Sequence, residues 1–210
     1  MDLGTVAGLW RYPVKSLKAE PLARAAVLRD GVEGDRAAAL VVESPAHARA
    51  GKPYRGKESS RLHLTGDPAT AATYAADANV LVTLDRSRPR WFDAGTVSVL
   101  LDLWVRDVEA LVGEQLDPLR WRPNFYVTTA SGVAQREMDL RGATLRAGSV
   151  VLRVTEPIER CVTPNYDVAT GAANPLVLAA VARERGNVVG VYCDVETPGE
   201  VALGDVLSLG

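Results

Sequence analysis

Three short clusters hold the side chains best suited to chemistry. Tyr12-Pro13-Val14-Lys15-Ser16-Leu17 begins where an apolar run ends, and Pro13 fixes a turn there. An ammonium and a hydroxyl on adjacent residues of a rigid turn suit a phosphate or another oxyanion, although a turn lysine is more often simply solvated. The second cluster is Arg122-Pro123-Asn124, preceded by Arg120-Trp121. A planar guanidinium beside an amide can hold a phosphate and the edge of a heterocycle. Arg36, after Asp35, and Arg61, beyond a Lys/Arg-studded loop, extend the same basic set, each weak taken singly. The third cluster, Glu159-Arg160-Cys161-Val162-Thr163-Pro164, places a cysteine beside Arg160, the electropositive neighbour that favours thiolate over thiol. Such a cysteine is a metal ligand or a nucleophile; a buried, inert thiol is the plainer reading of the local sequence. Cys193, within Val191-Tyr192-Cys193-Asp194-Val195, has a strand setting and reads as structural. No CxxC or Cys/His spacing supports zinc. His47 and His63 lie in or beside a polar loop, poorly placed for a Cys–His pair.

The elements that must position these clusters are mostly short strands. β-Branched and aliphatic runs recur between Gly/Pro/Asp turn signals at Thr5–Trp10, Ala25–Leu28, Ala38–Val42, Asn79–Leu84, Asn124–Thr128, Thr144–Ala147, Val150–Val154, Val188–Val195 and Asp205–Ser208. Two stretches have helical periodicity. Val97–Leu111 repeats apolar residues at three and four and stops at Gly113, and Pro175–Arg185 follows Asn174 as N-cap. Ser44–Ser60 is polar, basic and Gly/Pro-rich, which predicts a surface loop. The expected class is mainly β (α+β): a β-barrel with a smaller N-terminal β domain and a few short helices. A boundary near Asp85–Trp91 divides the chain into 1–88 and 89–210.

Bulk properties exclude more than they assign. The chain has 210 residues, 47% hydrophobic and 24% charged, with a formal net charge of −2. That balance gives no reason to expect nucleic acid or an anionic membrane as partner. No apolar run of about 18 residues exists to span a bilayer. The acidic start and the interruptions at Arg11, Pro13 and Lys15 argue against a signal peptide. A cytoplasmic location with free thiols is expected.

Taken in order, the clusters carry a resemblance. YPVKS at Tyr12–Ser16, Gly34-Asp35-Arg36, RPN at Arg122–Asn124, Arg160-Cys161 followed by Asp167 and Thr170-Gly171, and the end from Gly190-Val191-Tyr192 through Pro198-Gly199 to Gly204-Asp205 resemble the MOSC family, the molybdenum cofactor sulfurase C-terminal domain proteins. Within it the chain is similar to the mitochondrial amidoxime-reducing component type, which carries an N-terminal β-barrel extension. The resemblance implies molybdenum cofactor (molybdopterin), with Cys161 as the molybdenum ligand and catalytic residue. It implies that Lys15, Ser16, Arg36, Arg122 and Asn124 hold the pterin and its phosphate, with Arg61, Arg160, Tyr192 and, on a looser match, Thr96 as further cofactor contacts. Two departures stand out: Thr96-Val97-Ser98 where the family has a Thr-Ala-Ser-like step, and Glu137 without a following Trp.

The activity this implies is molybdenum-dependent reduction of N-hydroxylated or N-oxide small molecules, fed by an external flavin or iron–sulfur donor. Two alternatives stay open. One is a sulfur carrier or sulfurtransferase, loaded by a sulfur donor, that uses a Cys161 persulfide; the other is a non-catalytic molybdenum cofactor carrier.

Overall fold

The computed structural model describes residues 1–44, 48–92 and 94–210. In chain order the strands begin with β1 (Asp2–Arg11), β2 (Glu20–Pro21), β3 (Arg24–Leu28), β4 (Gly31–Val32) and β5 (Ala39–Val42). Helix α1 (Pro68–Ala76) then precedes β6 (Val82–Asp85) and β7 (Val97–Leu101), and α2 (Asp102–Val112) leads to β8 (Phe125–Thr129). The chain continues through β9 (Thr144–Ala147), β10 (Val150–Glu159), α3 (Pro175–Glu184), β11 (Val188–Thr197), β12 (Gly199–Ala202) and β13 (Val206–Leu209).

The fold is mainly β. Seven strands, in the order β13-β9-β10-β11-β7-β8-β1, close into a barrel because β1 also pairs with β13. Closure leaves the ring no unpaired edge. Alternation puts Leu152 and Val154 of β10 and Val189 and Val191 of β11 in the core, and β1, whose register shifts between Asp2 and Gly4 and between Val6 and Gly8, buries Leu3, Val6 and Leu9. β7 and β8 pair in parallel, and the other barrel ladders are antiparallel. Parallel neighbours need a crossover, and α2 with the 3₁₀ turn Pro118–Trp121 supplies it. Two small sheets, β12-β3-β4 and β5-β6, lie outside the ring.

The stretch Val97–Leu111, expected to be one helix, is two elements. Val97–Leu101 is a strand with all five residues buried, and the helix starts at Asp102. A strand buried on both faces is apolar on both, here but for Ser98, so its pattern runs into the helical period beginning at Leu100. The helix expected over Pro175–Arg185 is α3, capped by the Asn174 side chain on Leu176 N. The loop expected over Ser44–Ser60 is at the surface over most of its described residues, with Tyr54 and Gly56 turned inward. Tyr54 is buried, and its N–H donates to Leu40 O at 2.7 Å, so part of the loop is stitched to β5.

A second apolar cluster gathers Val14, Leu17, Leu40, Val42, Tyr54, Leu62, Ala71, Ala75 and Val80. It is confined to residues 14–80, whereas β1 is a stave of the barrel. The division into 1–88 and 89–210 stands as a proposal. Among the described residues no helix is long and apolar enough to cross a membrane.

Candidate functional site

A cleft of about 280 Å³ opens where the barrel rim meets the second cluster. Its walls bring together Lys15, Ser16, Arg36, Arg122, Arg160, Cys161 and Tyr192, residues scattered from one end of the chain to the other. Each arrives by a local device. β1 ends at Arg11, and Lys15 N–H donates to Ala38 O at 2.8 Å, which turns the chain across the barrel mouth. Lys15 is 8% exposed, and its ammonium donates to Trp91 O at 3.0 Å. Asp35 is fully buried; it accepts Tyr12 N–H at 2.6 Å and pairs with Arg36. Burial would lower the Arg36 guanidinium, but the Asp35 carboxylate outweighs it and holds the group above its ordinary value. Arg122 ends the 3₁₀ turn Pro118–Trp121, and its Nη1 lies 3.3 Å from His63 Nδ1. Ser16, Arg36 and Arg122 all have left-handed backbone, at φ 72°, 47° and 54°. Non-glycine residues reach that region only when their surroundings hold them, and such positions cluster at functional sites.

Cys161 is exposed, on the loop that leaves β10, with Sγ 3.2 Å from Thr163 Oγ1. Arg160, beside it, is engaged with the main chain. Its Nε and Nη2 donate to Val189 O and its Nη1 to Trp121 O at 2.8 Å, so the guanidinium braces the loop against β11 and the 3₁₀ turn. Burial pulls its pKa down to about 10, leaving it charged at neutral pH. Cys193 is fully buried, and burial pushes its thiol up, so it stays protonated.

Three expected contacts lie outside the cleft lining. Arg61 pairs with Asp77 at 2.6 Å and stacks 3.9 Å from the Tyr74 ring centroid. Thr96 donates its hydroxyl to Cys193 O at 2.9 Å, which fastens the approach to β7. Asn124 is 1% exposed and ties strands together: its Oδ1 accepts Ser98 N–H at 3.0 Å, and its amide donates to Trp10 O at 3.2 Å. It borders only a minor void of about 10 Å³ shared with Arg36 and Tyr192.

Other wall residues were not among the expected contacts. Arg55, Gly56 and Lys57 come from the basic loop, Ser98 from β7, and Glu159 and Thr163 flank the cysteine. Arg120 is buried and pairs with Asp167 at 3.0 Å. The density of Lys and Arg in the loop was the available signal; that Tyr54 anchors it inward was not. His63 also lines the cleft with Cys161. Burial first, and the Arg122 charge second, push its pKa down to about 3. A neutral imidazole whose Nδ1 faces a guanidinium is an acceptor for Arg122. Its ring packs on Gly56, where a Cβ would fall 2.3 Å from Cε1. His47 lies outside the described residues.

Two solved structures share the fold, and a third is similar at a lower score. The YuaD protein from Bacillus subtilis is 17% identical with a TM-score of 0.59, over 97% of this chain and 93% of that one. A hypothetical protein is 12% identical with a TM-score of 0.50, over 99% of this chain and 69% of that one. YiiM from Escherichia coli is 15% identical with a TM-score of 0.45, over 95% of this chain and 69% of that one. No curated protein matches the sequence. A family model described as the MOSC domain matches residues 94–208, the segment that supplies β7 to β13 and Cys161. That match spans more than half of the chain, which therefore belongs to the MOSC domain family.

Proposed function

We propose that the cleft holds a molybdopterin-type cofactor and that the chain reduces N-hydroxylated or N-oxide substrates, with electrons from an external flavin or iron–sulfur protein. One observation supports this above the others. An exposed cysteine shares a cleft with buried Lys15 and half-buried Arg36 and Arg122, and cations outnumber carboxylates among the described lining residues. The donor set suits such a group. Trp121 Nε1 and Arg120 Nε, on wall residues, are buried without hydrogen-bond partners among the described residues, and buried donors of that kind call for acceptors. A phosphate-bearing heterocycle brings many acceptors, and a thiolate suits a soft, sulfur-ligated metal.

In this reading Lys15, Arg36 and Arg122 grip the phosphate as charge-assisted donors, and Cys161 ligates molybdenum. Ser16 and Tyr192 complete the wall. Arg160 acts on the reaction through position, holding the Cys161 loop by its carbonyl contacts. When bound, the cofactor supplies two-electron oxygen removal, so that N–OH with two electrons and two protons gives N–H and water. Reconstituting the chain with molybdenum cofactor and offering an N-hydroxylated amidine with a reduced viologen as donor tests the activity. Turnover lost in Cys161→Ala is the expected result. Turnover unchanged in that variant contradicts the reading.

The sulfur-carrier alternative draws on the same cysteine. An exposed Sγ beside the Thr163 hydroxyl suits a terminal persulfide as well. Cyanide-releasable sulfur on purified protein that binds no pterin favours that alternative.

A further inference from the structure

In the sequence Tyr12 opens the YPVKS stretch with no role of its own, yet in the fold it touches both arginines of the expected phosphate grip. It is 1% exposed. The guanidinium carbon of Arg122 stands 4.1 Å from its ring centroid, and that of Arg36 stands 4.9 Å away. Each polar group of Tyr12 ends beside one of the two. Its N–H donates to Asp35 Oδ1, the partner of Arg36, and its carbonyl accepts Arg36 N–H at 2.7 Å. Its hydroxyl donates to the carbonyl of Pro123, next to Arg122, at 3.0 Å.

Two guanidiniums drawn to one ring repel each other, and more strongly away from water. The negative face of an aromatic ring within about 6 Å of each cation offsets part of that repulsion. An aliphatic side chain of similar bulk fills the space but offers no such face. Both arginines also hold left-handed backbone, a conformation the three Tyr12 hydrogen bonds help to fix. Cations set in place before the ligand arrives bind it with less ordering cost.

We infer that Tyr12 is the positioning residue of an anion clamp, its ring face holding Arg36 and Arg122 aimed together at one phosphate-class group. This rests on the anionic-cofactor reading of the cleft and goes beyond it, because Tyr12 is assigned without contact to the ligand.

The test is a graded substitution that changes the ring's charge and keeps its shape. Tyr12 is replaced by Phe, then by mono-, tri- and pentafluorophenylalanine, in the full chain. Inorganic pyrophosphate is titrated calorimetrically at low ionic strength, and Tm is recorded for each protein. The expected result is Phe within about threefold of Tyr, then a stepwise rise in Kd to about tenfold at pentafluorophenylalanine, with Tm nearly constant along the fluorinated series. Pyrophosphate affinity that stays flat across the series overturns the inference and leaves the anion cleft standing. A large loss already at Phe also overturns it, since the hydroxyl bond to Pro123 would then be the positioning element. No pyrophosphate binding by the unsubstituted chain defeats the anion-cleft reading itself, and the clamp with it.

Discussion

Between pH 7 and pH 5 an unfolded chain protonates its histidines, whereas folded His63 stays neutral. Its pKa falls from the ordinary 6.5 to about 3 because it is buried and faces Arg122. The folded form binds fewer protons, so the contribution is fully present above the unfolded pKa and declines as pH falls from 6.5 toward 3. Each pH unit in that window removes about 1.4 kcal/mol, and integrating from pH 7 to pH 5 gives about 2 kcal/mol. The perturbation is His63→Asn, which keeps a side-chain oxygen near Nδ1 as acceptor for Arg122 and removes the titration. Urea unfolding of both proteins at pH 7 and pH 5 is the assay. Carboxylates titrate equally in the two, so the double difference isolates His63. The parent should lose about 2 kcal/mol more than the variant over that interval. Equal losses, within about 0.5 kcal/mol, would refute the claim that His63 is a buried neutral acceptor rather than a solvated base.

Further expectations follow from single side chains. Native protein should show one fast-reacting thiol, Cys161, with Cys193 reacting only on unfolding; Cys161→Ala should stay within about 0.5 kcal/mol of the parent and Cys193→Ala should cost about 1 kcal/mol, both read by denaturation. Arg160→Met removes the donors to Val189 O and Trp121 O and should cost about 2–4 kcal/mol, with Arg160→Lys recovering only part because one ammonium cannot span both carbonyls. Gly95→Ala places a Cβ 2.5 Å from Tyr192 Cβ, so it should destabilise by about 1–3 kcal/mol and weaken pyrophosphate binding by displacing that wall of the cleft.

Much of the barrel was legible because its strands carry their own punctuation. Thr144–Ala147 matches its predicted bounds, and β1, β8, β11 and β13 begin or end within a few residues of theirs. β7 was not legible: five buried residues, apolar but for Ser98, run into an amphipathic helix with no turn residue between, and periodicity alone cannot divide them. α1 was missed because its Ala/Thr pattern has no strong apolar face, although Asp67 and Pro68 mark its start. The convergence of Lys15, Arg36, Arg122 and Cys161 followed from the chemistry a phosphate requires. What sequence could not show is how each group is spent. Asn124, Thr96 and Arg61 keep the right chemistry but direct it to Ser98, Cys193 O and Asp77. Tyr12 and His63 look like ordinary core and loop residues until the fold sets them against the arginines.

In the proposed function the cation set anchors an anionic pterin while Cys161 supplies the metal ligand. Molybdenum by mass spectrometry and pterin by fluorescence after oxidation, per chain, in protein purified from molybdenum-replete cells, test it most directly. Near-equimolar pterin in the parent chain and in Cys161→Ala, lost in an Arg36→Glu/Arg122→Glu double variant that still unfolds cooperatively, is the predicted result. Pterin absent from the parent chain, or retained undiminished by the double variant, would contradict it.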